Sequence, residues 1–200
     1  MGIRRKKVKR AVFLDRDGVI NPHCGLDKFN NPESPLNLAD FQIFPFAGRF
    51  IRNINEMGYL VIVITNQPAV AKGKMALAEL KKMHEKLEAE AKKYGGRIEK
   101  IYSCLHHPDP NQVVISRYLK NCRCRKPNPG MLLTAVREFK LELPDSWMIG
   151  DSWKDIIAGE KVGCKTILIS PAGEKLKKCE PNFTAKNLRE AVKIIKKEET

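Results

Sequence analysis

The feature that most constrains this 200-residue chain is an alternation of short apolar runs, rich in branched residues, with longer segments of helical spacing. The runs fall at residues 11–14, 59–64, 98–103, 147–149 and 166–169. Nearly continuous apolar character over so few residues is what a strand buried on both faces requires, and such strands belong to parallel sheets covered by helices. Between the runs, Leu77, Leu80, Leu87 and Ala91 recur at helical intervals and form one apolar stripe with Lys and Glu opposite. Similar stripes occupy residues 46–57, 129–139, 155–162 and 188–195. The pattern predicts an α/β fold, a Rossmann-like parallel sheet with helices on both faces. It forms one domain over residues 10–200, preceded by a basic extension at 1–9. The chain has no run of about 18 apolar residues, and its start lacks the apolar centre of a secretory signal. The expectation is a soluble, cytoplasmic monomer that makes no membrane contact.

In sheets of this kind ligands bind beyond the carboxyl ends of the strands. The first run is followed by Asp15-Arg16-Asp17-Gly18, the second by Thr65-Asn66-Gln67, and the fourth by Gly150-Asp151-Ser152. Cys124-Arg125-Lys126-Pro127 leads into the helical segment before the fourth run. Two carboxylates two residues apart at a strand end can share a site with different duties, and a bound Mg²⁺ would offset their repulsion. Asp15 would act as nucleophile and metal ligand, and Asp17 would protonate a leaving oxygen. Asp151 would complete the protein ligands of Mg²⁺. Lys126 and the Thr65 hydroxyl would hold phosphoryl oxygens as charge shifts during transfer. The alternative is that Asp15 and Asp17 are ordinary turn and cap residues; the combination of motifs weighs against it.

The set Asp15-Arg16-Asp17-Gly18-Val19-Ile20-Asn21, Thr65-Asn66-Gln67, Arg125-Lys126-Pro127 and Gly150-Asp151 with Asp155 resembles the four motifs of the haloacid dehalogenase superfamily phosphatases, in the same order. The likeness covers roughly residues 10 to 170. It is closest to the branch that contains the heptose bisphosphate and histidinol-phosphate phosphatases. The resemblance implies a capless fold and a Mg²⁺-dependent phosphomonoesterase that forms an aspartyl-phosphate on Asp15. Asp17 would be the acid and then the base, and Asp15, Asp17 and Asp151 the magnesium set. The substrate would be a small phosphorylated sugar, with the C7 phosphate of a heptose bisphosphate as the leading choice. Histidinol phosphate and the 3′-phosphate of a nucleic-acid end are the enzyme alternatives. Substrate contacts are expected from Asp15, Asp17, His23, Cys24, Gly25, Leu26, Thr65, Asn66, Gln67, Arg125 and Lys126. Of these, Thr65, Arg125 and Lys126 would stabilise the transition state. Arg125 could also pair with a second anionic group. The stretch 27–40 is longer than the corresponding loop of the heptose enzymes.

Cys104-Leu105-His106 and Cys122-Arg123-Cys124 flank a loop at residues 107–121. Three thiolates and an imidazole make a closed tetrahedral set suited to a structural Zn²⁺, which would order a loop with little to bury. His107 is an alternative imidazole, and incidental thiols are the bland reading. The same phosphatase branch carries a structural zinc with this ligand pattern. Cys164 and Cys179 read as bystanders, Cys24 as a neighbour of the pocket, and His84 as a packed core histidine.

The formal charge is +14. Residues 1–10 hold six Lys and Arg and no acid, and taking those six away leaves +8. A run of this kind is ordinarily a solvated extension; a nucleic-acid arm or localisation signal is the sharper reading. A zinc-containing nucleic-acid-binding protein is therefore the competing class. No aromatic residue is interleaved with the basic run, and a binding module has no need of the carboxylate motifs.

Overall fold

The computed structural model describes residues 9–27, 30, 32–173 and 176–199. Residues 1–8 of the basic extension lie outside them. In chain order the elements are β1 (Ala11–Leu14), α1 (Ala47–Glu56), β2 (Leu60–Asn66), α2 (Leu77–Lys93), β3 (Lys100–Cys104), a 3₁₀ turn (Ser116–Tyr118), α3 (Gly130–Phe139), β4 (Trp147–Gly150), α4 (Trp153–Glu160), β5 (Lys165–Ile169), β6 (Phe183–Ala185) and α5 (Leu188–Glu198). The strands form one parallel sheet in the order β3-β2-β1-β4-β5-β6. The order reverses at β1, so the crevice beyond its carboxyl end is where such a sheet binds ligands.

All four residues of β1 are buried, and their alternation divides the core in two. Val12 and Leu14 pack with Phe50, Leu80, Met83, Leu87, Val192 and Ile195 under α1, α2 and α5. Ala11 and Phe13 pack with Ile62, Ile64, Met131, Leu132 and Ala158 under α3 and α4. Burying a side chain such as Phe13 contributes about 1.5–3 kcal/mol, which makes both helical layers necessary to the sheet. Asn187 caps α5 by accepting the amides of Arg189 and Glu190 at 2.9 and 3.2 Å. Arg10, ahead of β1, pairs with Glu199 at 2.5 and 2.7 Å and lies 4.1 Å over the Tyr59 ring.

Lys9 makes an isolated bridge to Leu141, and the first strand opens at Ala11, where the first apolar run begins. Two features differ from the sequence reading. A sixth strand, β6, lies ahead of the 188–195 stripe, where no apolar run was read. β2 and β3 continue through Asn66 and Cys104, which stand side by side in register. That register brings the cysteine cluster up against the motif at the end of β2. Among the described residues no helix is long and apolar enough to cross a membrane.

Candidate active site and metal centre

Asp15 leaves the end of β1 with its backbone N–H bonded to the Ile149 carbonyl at 2.9 Å, so two adjacent strands fix its position. Asp151 follows β4, and Asp155 lies in the first turn of α4. One carboxylate oxygen from each of Asp15, Asp151 and Asp155 falls within 4.8 Å of the others. Lys126 reaches into this group, its Nζ 2.8 Å from Asp15 Oδ1, 2.5 Å from Asp155 Oδ1 and 2.9 Å from the Ile64 carbonyl. Burial and the Asp155 charge push the Asp15 carboxyl well above the usual carboxylate range, against the pull of Lys126. Burial alone would lower Lys126; the Asp15 and Asp155 charges raise it. Three carboxylates facing one ammonium leave an excess of negative charge. A divalent cation with oxygen ligands would relieve it, so the donor set fits Mg²⁺.

The third carboxylate of this cluster is Asp155, and the Asp17 side chain, expected in the magnesium set, lies outside it. The reason is that its oxygens are already engaged. Oδ1 accepts Arg16 Nε at 3.1 Å, Arg16 Nη2 at 3.0 Å and Asn21 Nδ2 at 2.9 Å. Oδ2 accepts Gln67 Nε2 at 2.7 Å and Ser34 Oγ at 2.9 Å. Burial would raise the Asp17 carboxyl, but Arg16 and these donors hold it below the ordinary value. Behind it, burial and the Arg16 charge lower His84 to about 4, so a neutral imidazole faces the guanidinium.

A cleft of about 340 Å³ opens over the carboxylates. Asp15, Asp17, His23, Asn66, Arg125, Lys126 and Asp151 line it as the motifs suggested. His23 Nε2 meets Asp151 Oδ2 at 2.8 Å, a contact that raises the imidazole. The Asn66 amide brackets the backbone of Lys126, donating to its carbonyl and accepting its N–H, both at 3.1 Å. Thr65 and Gln67 are fully buried and do not line the cleft; the Thr65 hydroxyl accepts the Gln67 amide at 2.8 Å. Cys24, Gly25 and Leu26 also stand away from it. Leu26 is 59% exposed, and the Cys24 thiol faces the Asp40 carbonyl at 3.7 Å. Residues that the sequence reading did not assign to the substrate cleft complete the wall, among them Ser34, Lys72, His107, Lys154 and Asp155.

Gly150 lets this floor close. A Cβ there would lie 2.1 Å from the Asp155 Cβ. Gly150→Ala is therefore expected to destabilise the fold by about 1–3 kcal/mol, read as a lower midpoint in thermal unfolding.

Beside the cleft, the Cys104, Cys122 and Cys124 thiols stand 3.2–3.5 Å apart, and His106 Nδ1 lies 3.4 Å from Cys124 and 3.8 Å from Cys104. All six cysteines are free thiols. A tetrahedron with ordinary Zn–S and Zn–N bond lengths has edges of about 3.5–3.8 Å, so this Cys₃His set fits Zn²⁺ with little adjustment. His107 is not a member: its Nδ1 accepts the Asp109 amide at 3.2 Å, and its ring lines the cleft. Arg125 Nη1 donates to the His106 carbonyl at 3.3 Å, which ties a cleft cation to a residue of the cluster.

A family model described as HAD-hyrolase-like matches residues 123–191. A Photorhabdus laumondii protein named D-glycero-beta-D-manno-heptose-1,7-bisphosphate 7-phosphatase is 34% identical over 194 residues, which cover 94% of this chain and 97% of the relative. A Burkholderia mallei protein named for the alpha form of the same substrate is 36% identical over 164 residues, 80% of this chain and 79% of the relative. Among solved structures, the D,D-heptose 1.7-bisphosphate phosphatase from B. bronchiseptica, complexed with magnesium and phosphate, matches with a TM-score of 0.77 at 25% identity, covering 94% of this chain and 99% of that one.

Proposed function

This chain belongs to the heptose bisphosphate phosphatase family of the haloacid dehalogenase superfamily, and from that premise we propose that it removes the 7-phosphate of a D-glycero-D-manno-heptose 1,7-bisphosphate. The observation that carries the substrate reading is a cleft with cations at two depths. Lys126 stands beside the Asp15 carboxylate on the floor, while Arg125, Lys72 and Lys154 line the remaining wall. Such a cleft suits a molecule with two phosphates better than one with a single phosphate. The free thiols and the charged substrate both fit a cytoplasmic enzyme.

In this reading an Asp15 carboxylate oxygen attacks phosphorus in line with the bond to the sugar oxygen. That P–O bond breaks, its electron pair goes to the sugar oxygen, and Asp17 supplies the proton, which it must first take up against the donors that favour its ionised form. Water then attacks phosphorus of the aspartyl-phosphate while Asp17 takes a proton from it; the bond from phosphorus to the Asp15 oxygen breaks, its electron pair returns to the Asp15 carboxylate, and inorganic phosphate leaves. Lys126, held by Asn66 and the Ile64 carbonyl, would neutralise phosphoryl oxygens as negative charge moves across them. Asp15, Asp151 and Asp155 would hold Mg²⁺, which when bound supplies a positive charge against which the phosphoryl oxygens align. The Cys₃His cluster would hold Zn²⁺ as a structural element that fixes Arg125.

The test is kcat/KM for heptose 1,7-bisphosphate, both anomers, against heptose 7-phosphate and histidinol phosphate. The bisphosphate should be preferred. Arg125→Ala should lower kcat/KM for it roughly 10- to 100-fold, as expected for losing a charge-assisted contact, and lower the monophosphate value by less. Equal turnover of all three esters would overturn the substrate reading.

A further inference from the structure

We propose that Ser34 is a positioning residue for Asp17, delivered by a loop that the turn after β2 holds in place. The inference rests on the phosphatase reading above and adds a residue to its proton-transfer machinery.

The partners of Asp17 differ in where they stand. Arg16, Asn21 and Gln67 are fully buried and approach the carboxylate from within the body of the protein. Ser34 lines the cleft, and its hydroxyl donates to Oδ2 at 2.9 Å, the same oxygen that receives the Gln67 amide at 2.7 Å. Oδ2 is thus fixed between a body residue and a cleft residue. Ser34 also differs in kind. The guanidinium and the two amide NH₂ groups can only donate, whereas a hydroxyl both donates and accepts. Ser34 can keep its bond to Asp17 before and after the proton leaves.

The loop is built to hold Ser34 there. It folds back on itself through Cys24 N–H to the Glu33 carbonyl at 2.8 Å and Glu33 N–H to the Gly25 carbonyl at 3.0 Å. The Lys74 ammonium pairs with the Glu33 carboxylate, next to Ser34 in the chain. Lys72 lies 3.8 Å from Asp27 on the other arm. Pro35 is buried immediately after Ser34, and a residue preceding proline is confined to extended backbone. The hydroxyl is therefore anchored from both sides in sequence.

A positioning role predicts a selective defect. Asp17 is needed as an acid where the leaving oxygen is an alkoxide, and is not needed where nitrophenolate departs unaided. The experiment compares kcat/KM, which reports phosphoryl transfer to Asp15, for a sugar phosphate and for p-nitrophenyl phosphate. Ser34→Ala should lower the sugar phosphate value about 10- to 100-fold and leave the nitrophenyl value within about 2-fold. Ser34→Thr, which keeps the hydroxyl, should recover most of the loss. Zinc content and the unfolding midpoint of Ser34→Ala should match the wild type. An equal fall for both esters, no change for either, or no recovery in Ser34→Thr overturns the proposal. Wild-type protein inert toward both esters would overturn the phosphatase reading, and the proposal with it.

Discussion

Replacing Asp15 by Asn should abolish Mg²⁺-dependent phosphate release while leaving the fold intact. The amide matches the carboxylate in size, and the backbone N–H of residue 15 stays bonded to Ile149 whatever its side chain. What is lost is the proposed nucleophile. Removing such a group costs roughly 10⁴-fold or more in turnover. A stability measurement separates this from unfolding. The Asp15 carboxyl is pushed upward by burial and by Asp155. A carboxyl whose folded value is raised opposes folding once pH exceeds its unfolded value, so at neutral pH the metal-free Asn variant should melt no lower than the wild type. Full activity in Asp15→Asn would sink the mechanism.

The second large effect concerns the thiols. Purified protein should contain about one Zn per chain, and Cys122→Ser should contain none. Cys122 is buried and sits within 3.5 Å of both other thiols, so its loss removes one of the four vertices of the tetrahedron. We expect a destabilisation of at least about 3 kcal/mol, roughly 6–12 °C in a domain of this size. Catalytic efficiency should fall as well, because Arg125 donates to the His106 carbonyl and Lys126 follows it in the chain. Unchanged metal content and an unchanged midpoint would show that the cluster is not a zinc site.

The parts of this molecule that sequence made legible are those whose signal is local. Five strands and five helices announce themselves by periodicity, and Asp15, Asp151, Lys126 and the Cys₃His set by spacing. β6 does not, because it is three residues long with Thr184 exposed, and only its pairing with β5 makes it a strand. Thr65 and Asn66 look equivalent in sequence, yet successive side chains of a strand face opposite ways. Because β2 runs through both, Asn66 reaches Lys126 and the cleft while Thr65 turns inward to Gln67. The sequence reading placed His23, Cys24, Gly25 and Leu26 together at the substrate. The loop's own hydrogen bonds carry His23 to Asp151, turn Leu26 outward and bring Ser34 in. Asp155 was visible as a motif member, but its exchange of place with Asp17 depends on the polar network around Arg16. No local pattern encodes that network.

The central place of β1 also bears on how the molecule comes into being. β1 pairs with β2 on one side and with β4, from the far half of the chain, on the other. During synthesis the first three strands can associate early, but the neighbour that fixes the Asp15 backbone arrives only when residues 147–150 have been made. Contacts this distant in sequence form late and slowly. A nascent chain halted before β4 therefore has Asp15 and lacks Asp151, Asp155 and the Ile149 carbonyl. Competence for chemistry is acquired in a late step of folding, when the two halves of the sheet join.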